Sequence, residues 1–464
     1  MLEITDLPPQ IVPAVSAFAQ RLSSHIRSHR DASLEVHEQG VLDAWRAEGG
    51  AVLAGVVTAA TTGADPAARP PRSACPRCGR GRAAERWRQR TVDTQLGGLT
   101  FTRTRYRCGV CHQRWSGADR TLGLRPRQRT SAGLARWEAD VAARTTFREA
   151  AELLEELAGV QVGSETVRTH AERLGTEREG QQRRAMAQVQ ATHEPPSALA
   201  YTPAPGMLVV EADGVMVRYH DRGPDGSPWH EVKLGIVGGW TGARPEAHLE
   251  VPSYVAAREK AAPFARRLGT EAARRGALNI VGWRGHAADG GGHEAILRPV
   301  VVLGDGAKWI WDEVAATFGG ERTEIVDWWH SAEHLWDLSK ALHGDGTPEA
   351  SAWAEQAKHL LWRHGPKPLL ALLQQTPPAP NADALKLLQR ERGYFTTNAL
   401  RMQYPVFRKR GLPVASGAVE GGAKHLVQQR MKRAGMRWSE LGARAILHLR
   451  CDSLSAAPAD HLAS

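Results

Sequence analysis

Apolar residues recur at two different spacings along the chain. In residues 1–70 they fall every three or four positions, as at Ile11, Val15 and Phe18, which predicts packed helices that end in a Gly- and Pro-rich linker. Later they form short, Val-rich runs bounded by Gly and Pro, which predicts buried strands. The pattern therefore predicts a multidomain α/β protein with its main sheet in the C-terminal half.

The apolar run from Met207 to Tyr219 is interrupted by Asp213. An isolated carboxylate in a buried strand is costly unless it is paired or bound to a metal. A second run, Val300 to Leu303, leads directly into Gly304-Asp305-Gly306. Two acids in or at the end of buried strands indicate a site for divalent cations, because Mg²⁺ prefers oxygen ligands and a two-ion site needs carboxylates from separate segments.

The order of the predicted elements is informative. After the run at Asp213, strands are predicted over His230–Trp240 and 247–255, followed by a helix to about Arg275. The strand before Asp305, a helix through Trp309 and Phe318, and a strand over 324–330 complete the series. This order is typical of a ribonuclease-H-like sheet, on which Asp213 and Asp305 would lie on adjacent strands.

A third acid is expected from a helix near the C-terminus. Ser416 can cap a helix whose packing stripe is Val419, Ala423 and Leu426. Glu420 then lies on a different face and points to the cleft if the stripe points to the core. The alternative is a surface acid near a helix N-terminus, where the helix dipole stabilises it.

The composition narrows the choice of partners. The 464-residue chain carries a formal net charge of +10, which favours an anionic partner, with nucleic acid as the leading candidate. No apolar stretch approaches the length of a membrane span, and the N-terminus does not resemble a signal peptide. The sequence therefore predicts a cytoplasmic protein without a membrane partner.

Four of the five cysteines form two pairs, Cys75-Pro-Arg-Cys78 and Cys108-Gly-Val-Cys111. Each pair can present two thiolates to one ion, so residues 71–125 are predicted to form a zinc ribbon with one structural Zn²⁺. The alternating segment Thr91–Tyr106, with Gly97 and Gly98 at its centre, predicts the connecting hairpin. Two redox Cys-x-x-Cys pairs are the alternative, but no βαβ pattern surrounds them.

Arginines cluster around these pairs and alternate with Trp87, Tyr106 and Trp115. Such a surface suits phosphate contacts, with Arg88 and Arg105 as candidates, although a solvated face would show the same charges.

Residues 126–190 are predicted to form a helix-turn-helix-like DNA-binding region. A helix from Phe147 to Gly159, a short turn and a second helix starting at Ser164 have its outline. The second helix carries Arg168 and Arg173 as candidate DNA contacts. Helical hairpins that do not bind DNA share this pattern.

Five segments carry a resemblance to a known family: Asp213-Gly, Gly304-Asp305-Gly306, Asp327-Trp-Trp-His330, Gly411-Leu-Pro-Val-Ala-Ser-Gly-Ala-Val-Glu420 and Gln429-Arg-Met-Lys-Arg-Ala-Gly-Met-Arg-Trp438. Together they resemble bacterial insertion-sequence transposases of the Kra type, which are DDE transposases related in their catalytic core to Mutator-like enzymes. The resemblance covers most of the chain from Cys75 to Arg450.

The resemblance implies a ribonuclease-H-like catalytic core in residues 205–330 and 405–452, with an all-helical insertion over 331–404. The 115 positions between Asp305 and Glu420 leave room for that insertion. The N-terminal half would bind DNA.

The resemblance also implies that Asp213, Asp305 and Glu420 form a metal-binding catalytic triad, with Asp327 and His330 in auxiliary roles that position DNA. Two Mg²⁺ or Mn²⁺ ions held by the triad would activate a water to cut the element end, and the freed 3′-hydroxyl would then attack target DNA. Six basic residues would contact phosphates: Lys308, Lys424, Arg430, Lys432, Arg433 and Arg437. Joining two ends of double-stranded DNA would require a homo-oligomer.

Two other functions stay open. His330-Ser-Ala-Glu333-His334 matches the inverted zinc-protease pattern, in which two imidazoles bind zinc and the glutamate acts as a base. A five-residue pattern is weak in a chain with 19 histidines. A non-catalytic zinc-ribbon DNA-binding protein derived from a transposase is the second alternative, and the retention of all three acids argues against it.

Overall fold

A computed structural model describes residues 7–62, 72–192, 204–242, 247–277, 300–319, 322–376 and 380–455. The chain folds into two compact units, Met1–Ala171 and Glu172–Ser464. The Gly- and Pro-rich linker predicted at the end of residues 1–70 lies outside the described residues. None of the helices in the described part of the chain is long and apolar enough to cross a membrane.

The N-terminal unit combines helices with two small antiparallel sheets. Its elements, in chain order, are α1 (Val12–Ser28), α2 (Leu34–Thr62), β1 (Ser73–Ala74), β2 (Gly81–Arg82), β3 (Arg86–Thr94), β4 (Gly97–Arg107), β5 (Arg114–Trp115), α3 (Gly117–Thr121), α4 (Ala132–Arg144), α5 (Phe147–Ala158) and α6 (Ser164–Thr192). Helix α6 continues through the boundary between the two units.

The predicted hairpin is confirmed as β3 and β4, which pair from Thr94 and Gly97 outward. Its turn lies at Gln95 and Leu96, two residues before the predicted position, and Gly97 adopts a φ of +92° where the chain enters β4. The two helices predicted around residue 160 are also confirmed. Helix α5 starts with a capping box formed by Thr146 and Glu149.

The C-terminal unit contains one five-stranded sheet and most of the helices. Its elements are β6 (Met207–Arg218), β7 (Trp229–Thr241), β8 (His248–Ala257), α7 (Ala261–Arg274), β9 (Val300–Gly304), β10 (Arg322–Val326), α8 (Trp328–His343), α9 (Pro348–His364), α10 (Pro366–Gln375), α11 (Ala382–Thr397), α12 (Tyr404–Lys409), α13 (Gly417–Gly422), α14 (Gln429–Met431) and α15 (Glu440–Leu454). A π-helical segment, Ala423–Gln428, joins α13 to α14.

The strand order is β10-β9-β6-β7-β8. Strands β6, β9 and β10 run parallel, while β7 is antiparallel to both β6 and β8. The parallel strands are filled with Val, Ile and Leu because both faces of the sheet are covered. From Trp328 to Lys409 the described residues form helices and no strand.

One strand prediction was too long at its end. The strand expected over 324–330 stops at Val326, and helix α8 begins at Trp328. The reason is local: the side chain of Asp327 accepts a hydrogen bond from the backbone N–H of His330 at 2.7 Å, which caps the first turn of α8.

Helices pack on opposite faces of β7. On one face, Leu268 of α7 lies so close to Gly235 that a side chain there would collide with it. On the other face, a Cβ at Gly422 of α13 would lie 3.0 Å from Ile236. Gly422 is a poor helix former, but its small size lets α13 approach the sheet closely.

Candidate metal-binding sites and basic surfaces

The four predicted zinc ligands converge in the N-terminal unit. The Sγ atoms of Cys75 and Cys111 are 3.5 Å apart, and Cys78 lies 3.6 Å from Cys108 and 3.8 Å from Cys111. A tetrahedral zinc ion with Zn–S bonds of about 2.3 Å requires S–S separations of about 3.8 Å. The distances are far too long for disulfides, and the cluster could therefore hold one structural zinc ion.

The thiols of the cluster differ in acidity. Backbone N–H groups of Cys111 and Val110 lower the pKa of Cys108 to about 5, despite the opposing effect of burial. Against a lowering effect of the backbone N–H of Gln113, burial and hydrogen bonds with the other three cysteine side chains raise the pKa of Cys111 to about 11. Cys75 and Cys108 are buried beside Tyr106 and Trp115, whose rings stack. A negative charge on buried sulfur is best compensated by a bound cation, as in structural zinc sites.

The sheet register brings a second set of ligands together. Ala212 of β6 and Val326 of β10 are both paired with Gly304 of β9. The next residue along each of these strands is an acid: Asp213, Asp305 and Asp327. Parallel strands thus place all three acids at the same level of the sheet.

Glu420 joins these acids from the helical side. The predicted packing stripe of Val419, Ala423 and Leu426 is buried, and Glu420 is exposed on another face. A cavity of about 110 Å³ is lined by Asp213, Asp305 and Glu420. The structure therefore gathers the three predicted catalytic acids around one small space, together with Asp327, His330 and Glu333.

The acids in this cavity have little compensating charge. Burial is the main reason that the pKa of Asp213 is raised to about 6, and the negative charges of Asp305, Glu231 and Glu420 raise it further, against a hydrogen bond from the N–H of Gly214. Among the described residues, the cavity lining contains no Lys or Arg. The donor set fits a hard divalent cation, which would relieve this repulsion.

The three carboxylates are less tightly grouped than the four thiolates. Within the described ranges, the cysteine cluster is the one group of three or more potential ligands whose donor atoms all lie within 4.8 Å of one another. The Oδ1 atom of Asp305 accepts a hydrogen bond from the N–H of Ala307 at 2.8 Å, and that of Asp213 accepts one from Gly214 at 2.6 Å. Side-chain rotation would be needed to place all three acids on shared ions.

We expect Asp213→Asn to stabilise the metal-free protein above pH 6 and to change little below pH 4. The folded-state pKa of about 6 exceeds the usual 3.8, so ionisation costs the folded state stability as pH rises through this window. Asn cannot ionise, and the gain should approach about 3 kcal/mol above pH 7. Denaturant unfolding at pH 4 and pH 7.5 without added Mg²⁺ or Mn²⁺ measures it.

Asp312→Asn is the matched control, because Asp312 forms an exposed ion pair with Lys308 on a neighbouring helical turn. An equal effect of Asp213→Asn at both pH values would contradict the raised pKa.

Asp327 lines the same cavity as Asp213, and its carboxylate is bonded to the protein backbone. It is 4% exposed, and its two carboxylate oxygens accept hydrogen bonds from the backbone N–H groups of His330 and Ser416. It therefore stabilises the starts of α8 and α13.

His330 lines the cavity and belongs to a chain of polar contacts. Its Nε2 atom lies 3.2 Å from Nε2 of His334, whose Nδ1 atom lies 2.6 Å from Glu391. Burial acts to raise the pKa of Glu391, but hydrogen bonds and positive charge from His334 and Arg390 lower it overall. Glu391 and His330 thus contact the two ring nitrogens of His334 and fix the orientation of its ring.

This contact chain disfavours the zinc-protease interpretation. His334 is already held by Glu391, and Glu333, the expected base, is 74% exposed. In the described part of the chain, these residues do not form a close ligand group.

Most of the predicted phosphate contacts of the C-terminal unit are exposed: Lys308, Lys424, Lys432, Arg433 and Arg437. Arg430 is the exception and corrects the sequence-based expectation. It is 1% exposed, its guanidinium lies 4.9 Å from the ring centre of Trp438, and it donates a hydrogen bond to the sulfur of Met436. Arg430 therefore packs against the segment that follows α14, and its guanidinium is not accessible to DNA.

A basic groove of about 980 Å³ opens on the N-terminal unit. Seven arginines line it: Arg90, Arg103, Arg105, Arg107, Arg114, Arg127 and Arg129. Asp119 is the one acid in the lining and pairs with Arg90 at 2.8 Å and with Arg103. The groove therefore has a strong positive charge that suits phosphate groups.

Of the four DNA contacts predicted in the N-terminal half, one lies in the lining of this groove. Arg105 lines it, while Arg88 is exposed on β3 in the strand position opposite Arg103. Arg168 and Arg173 are partly exposed on α6 and paired with Glu165 and Glu177. The contributions of Arg127 and Arg129 were missed because they come from the loop between α3 and α4, far from the cysteine pairs in sequence.

Glu211 was also missed. It is 4% exposed and lies on β6 two residues before Asp213, hence on the same face of the strand. Burial raises its pKa to about 8, against a hydrogen bond from the N–H of Val419 and with a further raising effect from Asp327. The sequence did contain a signal for it, because Glu211 is a second acid in the apolar run from Met207 to Tyr219.

No protein-family model matches the sequence, and no curated protein matches it either. The function therefore has to be inferred from the sites themselves. Two of them are chemically distinct: a thiolate cluster beside a basic groove in one unit, and a cavity lined by carboxylates in the other.

Proposed function

We propose that the chain is a DNA transposase of a bacterial insertion sequence that cuts and joins DNA with a two-metal DDE site. The observation that carries the proposal is the convergence of Asp213, Asp305 and Glu420 on one cavity that lacks a cationic side chain among the described residues. These acids come from three segments that are distant in sequence, which is the arrangement a two-ion site requires.

The strand order supports the same proposal. Three antiparallel strands, β8, β7 and β6, continue into the parallel strands β9 and β10, as expected for a ribonuclease-H-like core. The helices between β10 and α13 correspond to the helical insertion that the resemblance implies. Asp213 on the central strand would hold both ions, and Asp305 and Glu420 would each hold one.

Bound Mg²⁺ or Mn²⁺ would activate a water or hydroxyl as the nucleophile. It would also stabilise the charge on the entering and leaving oxygens. The chain's own contribution is to position the DNA. The exposed Lys424, Lys432, Arg433 and Arg437 follow Glu420 in sequence and would contact the phosphates that flank the scissile bond.

Double-stranded DNA is also the partner that best fits the basic groove of the N-terminal unit. Its arginines occur on a zinc-ribbon-like hairpin and the following loop, and Arg is well suited to bidentate phosphate contacts. Binding there would fix the element end, and a homo-oligomer would bring two ends together.

The proposal is tested with end-labelled duplexes from the DNA that flanks the coding sequence on each side. We expect cleavage at one defined position in Mg²⁺ and Mn²⁺ and binding without cleavage in Ca²⁺, followed by joining of the cut end to a supercoiled plasmid. An unrelated duplex of equal length and base composition is the control.

Two results would contradict the proposal in different ways. Specific binding without cleavage in any cation would favour a non-catalytic DNA-binding protein. Failure to bind either duplex at low salt would remove DNA as the substrate.

A further inference from the structure

The helix that carries Glu420 lacks an ordinary N-terminal cap. Ser416 occupies the N-cap position, but its side chain makes no capping hydrogen bond. The first N–H groups of a helix have no partner within the helix and need one from elsewhere. In α13 that partner for Val419 is Glu211 of β6, whose Oε2 atom accepts from the Val419 N–H at 2.7 Å.

The sequence of α13 makes this external partner important. The helix reads Gly-Ala-Val-Glu-Gly-Gly, and each interior Gly costs a helix about 1 kcal/mol relative to Ala. The chain then enters a π-helical segment at Ala423. Such a short and Gly-rich helix is poorly stabilised by its own backbone, so contacts with the sheet determine where Glu420 lies.

Glu211 is well placed to supply such a contact. It lies on the strand that carries Asp213 and bonds to the residue directly before Glu420. Asp327 accepts from the N–H of Ser416 in the same helix start. Two buried carboxyl groups, one on β6 and one at the N-cap of α8, thus hold α13 by its backbone.

We propose that Glu211 is a positioning residue that caps α13 from the central strand and thereby fixes Glu420 relative to Asp213. Its effect on metal binding rests on the proposed function of these two acids. Its effect on the helix does not, because the hydrogen bond joins Glu211 to the protein backbone alone.

The test compares Glu211→Gln with Glu211→Met. Gln retains a carbonyl oxygen that can accept from the Val419 N–H, whereas Met has similar length and apolar volume but no comparable acceptor. In hydrogen-exchange mass spectrometry, we expect peptides covering residues 415–422 to exchange about tenfold faster in the Met variant and at nearly the wild-type rate in the Gln variant.

A second experiment measures Mn²⁺ binding directly. The electron paramagnetic resonance signal of the free ion reports how much Mn²⁺ remains unbound. We expect the dissociation constant to rise about tenfold or more in Glu211→Met and less than about threefold in Glu211→Gln. Rescue by Gln separates loss of the hydrogen bond from general damage to the fold. Glu324→Met, on β10 of the same sheet, is the control for replacing Glu with Met.

Unchanged exchange at 415–422 in Glu211→Met would overturn the proposal whether or not Mn²⁺ binds. Equal losses in the Gln and Met variants would overturn it as well, because the acceptor oxygen would then be irrelevant. If exchange follows the expected pattern but wild-type protein binds no Mn²⁺, Glu211 still positions α13, and the proposed metal function of the acids is what fails.

Discussion

Asp305→Asn will reduce metal-dependent DNA cleavage by about 10³-fold or more and leave DNA binding intact. Loss of one member of a catalytic set that acts as a unit typically removes several orders of magnitude of rate. The variant keeps the oxygen that accepts from the Ala307 N–H, so the turn after β9 should fold as before. Single-turnover cleavage of the labelled element end, measured beside a binding titration in Ca²⁺, provides both readouts.

Asp312→Asn is the control for this experiment, since it removes a carboxylate seven residues further along the chain and outside the cavity lining. It should cleave at the wild-type rate. Equal products from wild type and Asp305→Asn would refute the catalytic assignment and leave the DNA-binding alternative.

The sheet was predictable because its strands have a simple physical signature. Uninterrupted Val-rich runs such as Val300–Leu303 can be buried on both faces only in the interior of a sheet. Asp213 and Asp305 stood out against that background, since charge in such a run needs a partner. The register that aligns them follows from pairing across the sheet, which sequence spacing alone does not specify.

The missed and corrected residues depend on contacts between distant segments. Arg430 is buried in part because its guanidinium packs against the ring of Trp438. The number of basic residues in a segment does not reveal such a contact. The oxygens of Asp327 bond to the starts of two helices, one of them about ninety residues away in sequence, a contact that the sequence did not reveal. Glu211 could have been noticed, yet its hydrogen-bond partner Val419 lies 208 residues further along the chain, and sequence spacing does not reveal that contact.

The same distinction applies to the N-terminal unit. The four cysteines could be predicted as zinc ligands from their spacing alone, because two Cys-x-x-Cys pairs are a typical ligand pattern of structural zinc sites. The basic groove was foreseen only in part, since Arg105 lies near the cysteines whereas Arg127 comes from a separate loop.

Cys108→Ser will remove the zinc ion and unfold the ribbon around it. The strands β1, β2 and β5 contain two residues each, too few to be stable without a further constraint. Structural zinc binding contributes on the order of 10 kcal/mol in comparable small domains. We expect zinc to fall from one ion per chain to near zero, and trypsin to cut rapidly after the arginines between residues 77 and 114.

Cys451→Ala is the matched control, because Cys451 is also a buried free thiol but lies on α15 of the other unit. Its zinc content and its tryptic pattern between residues 77 and 114 should equal those of wild type. Chelation of the wild-type protein should reproduce the pattern of Cys108→Ser, since both would leave the site between the two Cys pairs without zinc. Full zinc occupancy in Cys108→Ser would show that the sulfur of Cys108 is not a ligand, and the assignment of four cysteine ligands would then be wrong.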